Sequence, residues 1–319
     1  MRKTILSLLL LLVPLFVCAQ FKANAKRKHA YTKKKNKPRK EYIIGIGAAN
    51  FLGEVGGANQ IGTHFVKDFE FAATRPSVAL GMRYRPNQYW AVNGGLHYMM
   101  VSGNDALTTE PYRQNRNLSF RAPILELSVQ AEFFLTKEQT GRNYNIRNVK
   151  KAASKDVQAY VFVGVGGFFF NPQAKYNGKW VNLQPLGTEG QGLPGGAKKY
   201  SRISICIPYG IGAKYGIGKD WAVGLEVGIR KTFTDYLDDV STVYYDNAAL
   251  KAAHGEMGAY LADPSLNKYP ESLGGDATGG WQSAPGEQRG DPKAKDAYMF
   301  TNVTVSYRFP YRRRTRSKF

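Results

Sequence analysis

The chain has 319 residues, 34 glycines, 13% aromatic residues and a formal net charge of +21. That length admits one large all-β domain or two ordinary ones, and the glycine and aromatic content favours strands and tight turns over helices. Past the N-terminal leader no stretch offers the roughly 18 consecutive apolar residues of a membrane helix. An exported chain of this kind is therefore periplasmic, secreted, or a closed barrel, since only a closed barrel satisfies a strand backbone in lipid.

Residues 1–19 read as a cleaved secretory signal, with Arg2 and Lys3, an apolar run from Ile5 to Val17 and small residues at the expected cut. Lipidation of Cys18 is disfavoured by bulky Val17, and after cleavage only Cys206 remains, so no intrachain disulfide is possible. Residues 20–41 form a basic segment, expected to be disordered and periplasmic, that includes Lys33, Lys34 and Lys35; residues 310–319 form a basic tail with Arg312, Arg313 and Arg314. Setting aside fifteen basic residues of these two ends and the two of the leader lowers the net charge from +21 to about +4, so the body between is nearly neutral. Basic tails of this density often bind nucleic acid, but export removes nucleic acid as the ordinary partner. Solvated tails and docking onto an anionic surface both remain open.

Residues 42–309 read as an outer-membrane barrel. Strands are predicted at 42–50, 77–85, 89–101, 118–135, 157–170, 200–215, 221–230 and 298–309. In the last of these Met299, Thr301, Val303, Val305, Tyr307 and Phe309 alternate with Phe300, Asn302, Thr304, Ser306 and Arg308, giving one apolar face and one largely polar face. The fourth strand is clearest, with Leu125, Leu127 and Val129 opposite Glu126, Ser128 and Gln130. Eight antiparallel strands with both termini periplasmic predict short turns after the second, fourth and sixth and long extracellular loops after the others. The twenty-residue basic link 136–155, with Lys150 and Lys151, is the exception. Trp90, Trp221, Tyr42, Tyr84, Tyr209, Tyr215 and Phe309 fall near strand ends, where aromatic girdles lie.

The other face implies a filled interior. Eight strands enclose just enough room for side chains, and the inward positions carry Arg83, Arg85, Glu126, Glu132, Arg202, Lys214, Glu226 and Arg230. Buried ions need partners, so the lumen is expected to be plugged and charge-paired, not an open pore. In the last long loop Asp235, Asp238 and Asp239 form an acidic cluster. It is open to two readings, solvated or lysine-paired acids, or oxygen ligands for Ca²⁺. No nucleophile motif, zinc spacing or phosphate cradle is present, and no catalytic, cofactor or metal residue is assigned. The glycine-rich stretch 185–196 reads as a loop using positive φ, and Cys206 as a buried small side chain.

Six ordered stretches carry a family resemblance: LGEVGGANQIG (52–62), ATRPSVALGMRYR (73–85), NRNLSFRAPILELS (115–128), QPLGTEGQGL (184–193), RKTFTDYLDDVSTVYYDN (230–247) and AYMFTNVTVSYRF (297–309). Together they resemble the PorG-like outer-membrane barrels of the type IX (Por) secretion system of Bacteroidota. The resemblance implies an eight-stranded barrel, without enzymatic activity, that associates on its periplasmic side with a ring of PorK- and PorN-type proteins and helps fix it to the outer membrane. The basic tails are not part of the resemblance. With the link they would form one positive periplasmic rim, suited to an acidic partner or to peptidoglycan. A generic envelope or adhesion barrel and a lipid-modifying enzyme are the competing readings.

Overall fold

Alternation of apolar and polar residues produces eight long strands, each with one face for hydrocarbon and one for the interior. The computed structural model describes residues 38–55, 73–108, 111–136, 157–217, 220–266 and 283–309. The barrel strands are β1 (Arg39–Leu52), β2 (Arg75–Arg85), β3 (Trp90–Asn104), β4 (Ser119–Phe134), β5 (Val157–Phe170), β8 (Ile203–Ile217), β9 (Trp221–Thr232) and β10 (Ala297–Arg308). A small hairpin, β6 (Gln173–Tyr176) and β7 (Lys179–Asn182), rises from the loop after β5.

All barrel pairings are antiparallel between sequence neighbours, and β1 pairs with β10 to close the sheet, with Tyr42 opposite Tyr307 and Leu52 opposite Ala297. Pairing of β3 with β4 along fifteen residue pairs completes the ring. The fold is an eight-stranded antiparallel transmembrane β-barrel. Closure leaves no sheet edge among the eight.

Facing follows the period of two. Leu127 is 67% exposed, whereas its neighbour Glu126 and the next inward acid, Glu132, are 0% exposed. Ile44, Ile46, Leu80, Val92, Val129, Val163, Ile205, Ile211, Leu225 and Val303 continue the exposed apolar belt around the barrel. An aromatic girdle rims it at the end bearing the short turns. Trp221, Tyr307, Phe309 and Tyr42 contact one another in sequence, with ring centroids 4.9 to 5.3 Å apart, and Trp90 packs on Phe133.

Several strand boundaries differ from the sequence reading. β1 starts at Arg39, so Arg39, Lys40 and Glu41, expected in a disordered segment, are strand residues paired with β2. β8 starts at Ile203, leaving Tyr200 to stack on Tyr236 with centroids 4.4 Å apart. The long loops also carry regular structure: α1 (Pro111–Arg116), preceded by a 3₁₀ turn at Asp105–Leu107, and α2 (Asn247–Ala262), capped at its start by Asp246.

Glycine makes the filled interior possible at two inward positions. A Cβ on Gly228 would lie 2.5 Å from Phe300 Cε1 and 2.7 Å from Phe162 Cζ, and one on Gly212 would overlap the Tyr160 ring.

Candidate functional site: a closed lumen under a loop cap

The interior is layered along the barrel axis. At the short-turn end, where strand ends converge, Glu41 accepts from Lys214 Nζ at 2.7 and 2.9 Å and from Arg83 Nη1 at 3.4 Å, with Arg308 Nε 3.5 Å away. Arg83 forks onto Glu132, Nε to Oε2 at 2.5 Å and Nη2 to Oε1 at 2.9 Å. Its guanidinium also lies 4.9 Å from the Tyr160 ring centroid, and the Tyr160 hydroxyl donates to Glu226 at 3.0 Å. Arg85 donates to Gln158 Oε1 and the Gln88 carbonyl and stacks on Phe134 at 3.7 Å.

Midway, Arg230 Nε and the Tyr298 hydroxyl both donate to Glu126 Oε2 at 2.9 Å, and Arg230 stacks 3.6 Å from the Phe300 ring centroid. His97 lies buried here, 6.3 Å from that ring, with no partner for Nδ1. Cys206 is a buried free thiol. Towards the long loops the filling turns apolar: Phe51, Met99, Phe120, Ile124, Phe168, Phe170, Leu237 and Val240 pack in one cluster.

The structure thus brings together Arg83, Arg85, Glu132, Lys214 and Glu226 in one layer and Glu126 with Arg230 in the next. Arg202 does not join them. It precedes the first residue of β8, is half-buried, and its guanidinium rests 5.4 Å from Phe169 on the outward side, with Nη1 3.3 Å from Asn171 Oδ1. The parity that would turn Arg202 inward holds only within a strand. Sequence reasoning missed Glu41, the carboxylate that accepts from Lys214 and Arg83 and lies beside Arg308, because the first strand was started one residue after it. Its parity with inward Ile43 would have found it.

Over the mouth, four loops are tied by buried charge. Arg116 at the end of α1 donates to Asp105 Oδ2 at 2.7 Å and Oδ1 at 3.1 Å, and also to the carbonyls of Arg289 and Glu54. Arg289 donates to Glu189 at 3.1 Å and to the Asp239 carbonyl at 2.6 Å. Glu189 also accepts from the backbone of Ser241 and from Thr242. Gly187, Gly190, Gly192 and Gly195 adopt positive φ along the 185–196 loop that brings Glu189 into place.

Asp235, Asp238 and Asp239 are buried within this cap, which corrects the reading of them as solvated or lysine-paired acids. Asp235 accepts from Ser241 Oγ, Asp238 from the Val240 amide, and Asp239 from the hydroxyls of Thr188 and Tyr200. Burial pushes the Asp235 and Asp239 carboxyls up to about 6, and burial with neighbouring acids pushes Glu54 to about 7. Among the described residues no group of three or more His, Cys, Asp or Glu side chains is arranged to hold a metal ion. Lys33, Lys34, Lys35, Lys150, Lys151, Arg312, Arg313, Arg314 and the 1–19 leader lie outside the described residues.

Solved structures with a similar fold are outer-membrane proteins. They include Neisserial surface protein A (8% identity, TM-score 0.36, covering 84% of this chain and 97% of that one). OprG of Pseudomonas aeruginosa has 10% identity and a TM-score of 0.34, covering 87% of this chain and 99% of that one. The attachment invasion locus protein Ail of Yersinia pestis has 11% identity and a TM-score of 0.32, covering 85% and 99%. No curated protein matches the chain. A family model, described as Domain of unknown function (DUF6089), matches residues 31–256, from ahead of β1 into α2. This eight-stranded barrel belongs to the DUF6089 family.

Proposed function

We propose that this barrel is a non-enzymatic outer-membrane subunit of the type IX protein secretion machinery that anchors the periplasmic ring complex to the outer membrane. The observation that carries the reading is occlusion: ion pairs fill one end of the lumen, aromatic rings the other, and tied loops cover the mouth. A barrel whose interior is filled by the described side chains is suited to work by what it holds at its rims, since function lives in sites carried on a fold. The sequence resemblance to the PorG-like proteins supplies the partner class, PorK- and PorN-type ring proteins, with peptidoglycan as a further anionic surface. The lysines and arginines of the two tails and of the 136–155 link supply the positive rim that would meet them, by attraction that salt screens.

Crosslinking in intact outer membranes with identification of partners tests the reading, together with cargo export in a deletion strain. Ring proteins on the crosslinks and lost type IX export are expected, and unchanged export overturns the role in favour of a generic envelope barrel. Unaltered lipid A mass spectra are expected of a non-enzymatic subunit. Deleting residues 22–38 and 310–319 together leaves β1 whole and is expected to weaken ring co-purification most at low salt. Co-purification unchanged at every salt concentration would remove the basic rim from the proposal.

A further inference from the structure

On one flank of the barrel the outward side carries cations where the apolar belt ends. Arg121, near the start of β4, and Arg202, one residue ahead of β8, stand on either side of β5 at the end bearing the long loops. A row of amide side chains joins them. Arg121 Nε donates to Gln173 Oε1 at 2.9 Å, and Gln173 Nε2 to Asn182 Oδ1 at 2.8 Å. Asn171 Nδ2 donates to the same Asn182 oxygen at 2.9 Å, and Asn171 Oδ1 accepts from Arg202 Nη1 at 3.3 Å. Each guanidinium also rests on an exposed ring, Arg121 3.8 Å from the Trp180 centroid and Arg202 5.4 Å from that of Phe169. Lys175 adds a third cation, with Nζ 5.3 Å from the Trp180 centroid.

These cations are held in place but not neutralised. Among the described residues no carboxylate pairs with Arg121, Arg202 or Lys175, and the acids of the barrel strands, Glu41, Glu126, Glu132 and Glu226, are all buried inside. Both Nη groups of Arg121 and Nη2 of Arg202 keep their donors unused by the described residues. Guanidinium forks of this kind match the several acceptor oxygens of a phosphate. Apolar surface begins directly below. Leu125 follows Arg121 by four residues on the same face and pairs with Phe169, which pairs with Ile203, and all three are exposed. A soluble anion would use the cations alone, whereas a lipid with an anionic head uses the cations and the belt together. Long loops of such barrels are extracellular, so this flank meets the outer leaflet.

We propose that the flank binds a phosphorylated lipid headgroup of the outer leaflet, the phosphosugar of lipid A. Sugar hydroxyls meet the amide row of Gln173, Asn182 and Asn171, phosphate oxygens accept from the arginines at its ends, and acyl chains run down over Leu125, Phe169 and Ile203. The site goes beyond the secretion role and does not rest on it.

Native mass spectrometry of the mature chain in detergent micelles tests it, with lipid A, dephosphorylated lipid A and inorganic phosphate as probes. Saturable binding of lipid A is expected, roughly tenfold or more tighter than the dephosphorylated lipid, with no saturation by inorganic phosphate at millimolar concentration. Arg121→Gln combined with Arg202→Gln is expected to weaken lipid A by roughly tenfold or more. Lys40→Gln, outward at the short-turn end, is expected to leave it unchanged. Equal binding of the two lipids, or a double variant that holds lipid A as the native chain does, would overturn the proposal. Inorganic phosphate that binds as tightly as lipid A would overturn the lipid as occupant. The lipid comparison needs only the native chain, so it decides the matter even where the double variant fails to refold.

Discussion

The lumen near the short turns and the cap over the mouth both bury many carboxylates, but they partner them differently. In the lumen Glu41 meets Lys214 and Arg83, Glu132 meets Arg83, Glu126 meets Arg230, and Glu226 takes the Tyr160 hydroxyl. In the cap Glu54, Asp235, Asp238, Asp239 and Asp296 accept from amides and hydroxyls, with no ion pair to them among the described residues. Charge sits in the lumen mainly as pairs; the cap has two pairs of its own, Arg116 with Asp105 and Arg289 with Glu189, and beside them acids crowded together. Burial, then Asp296 and Glu54, pushes Asp238 well above the usual carboxylate range; burial, then Asp235, does the same for Asp296. The lumen is built to be locked, and the cap to change with its surroundings.

The largest test of this contrast removes the shared acceptor of the lumen. Glu41→Ala leaves Lys214 and Arg308 without their carboxylate, and breaking a buried pair from one side costs about 3–5 kcal/mol. Denaturant unfolding of the refolded barrel in micelles should show that loss, and a loss below about 1 kcal/mol would make the network incidental. Next in size is the packing that makes occlusion possible. Gly228→Val drives new atoms into Phe300 and Phe162, and overpacking of this kind costs about 1–3 kcal/mol. An unshifted unfolding midpoint would mean the lumen has slack.

The smallest effect belongs to the cap and sharpens the comparison through pH. The Glu54, Asp235 and Asp239 carboxyls are raised from 4.5, 3.8 and 3.8 to about 7, 6 and 6. Groups raised in the fold hold their protons longer than in the unfolded chain. Their stabilisation is full below the unfolded values and is lost as pH rises through 6 to 7. Amide exchange at Val240, Ser241 and Thr242 should therefore speed up between about pH 5 and about pH 8 by more than the intrinsic base-catalysed increase, while β1 to β5 follow only that increase. Equal behaviour in both regions would erase the distinction.

Much of the barrel was legible in the residues. Strand number, facing and the inward charges at Arg83, Glu126, Glu132 and Arg230 follow from a period of two, since hydrocarbon and lumen demand opposite polarity at alternate positions. Parity failed where a strand ended. Arg202 lies one residue ahead of β8 and turns away, and Glu41 lies inside β1 although the basic run around it reads as tail. Asp235, Asp238 and Asp239 misled for another reason: acids in a long loop look solvated until other loops are seen to cover them.

The amino-acid order by itself determined that eight strands would present an apolar belt outward and a polar row inward, because each position's neighbours two residues away declare its face. Which charges meet was decided only by closure, which sets Glu41 against Lys214 across 173 residues of chain. The cap too is a tertiary product. Four segments remote in sequence converge because the ring of strands ends at one mouth, and the contacts made there, from Glu54 through Arg116 to Arg289 and Glu189, exist only once the ring is shut.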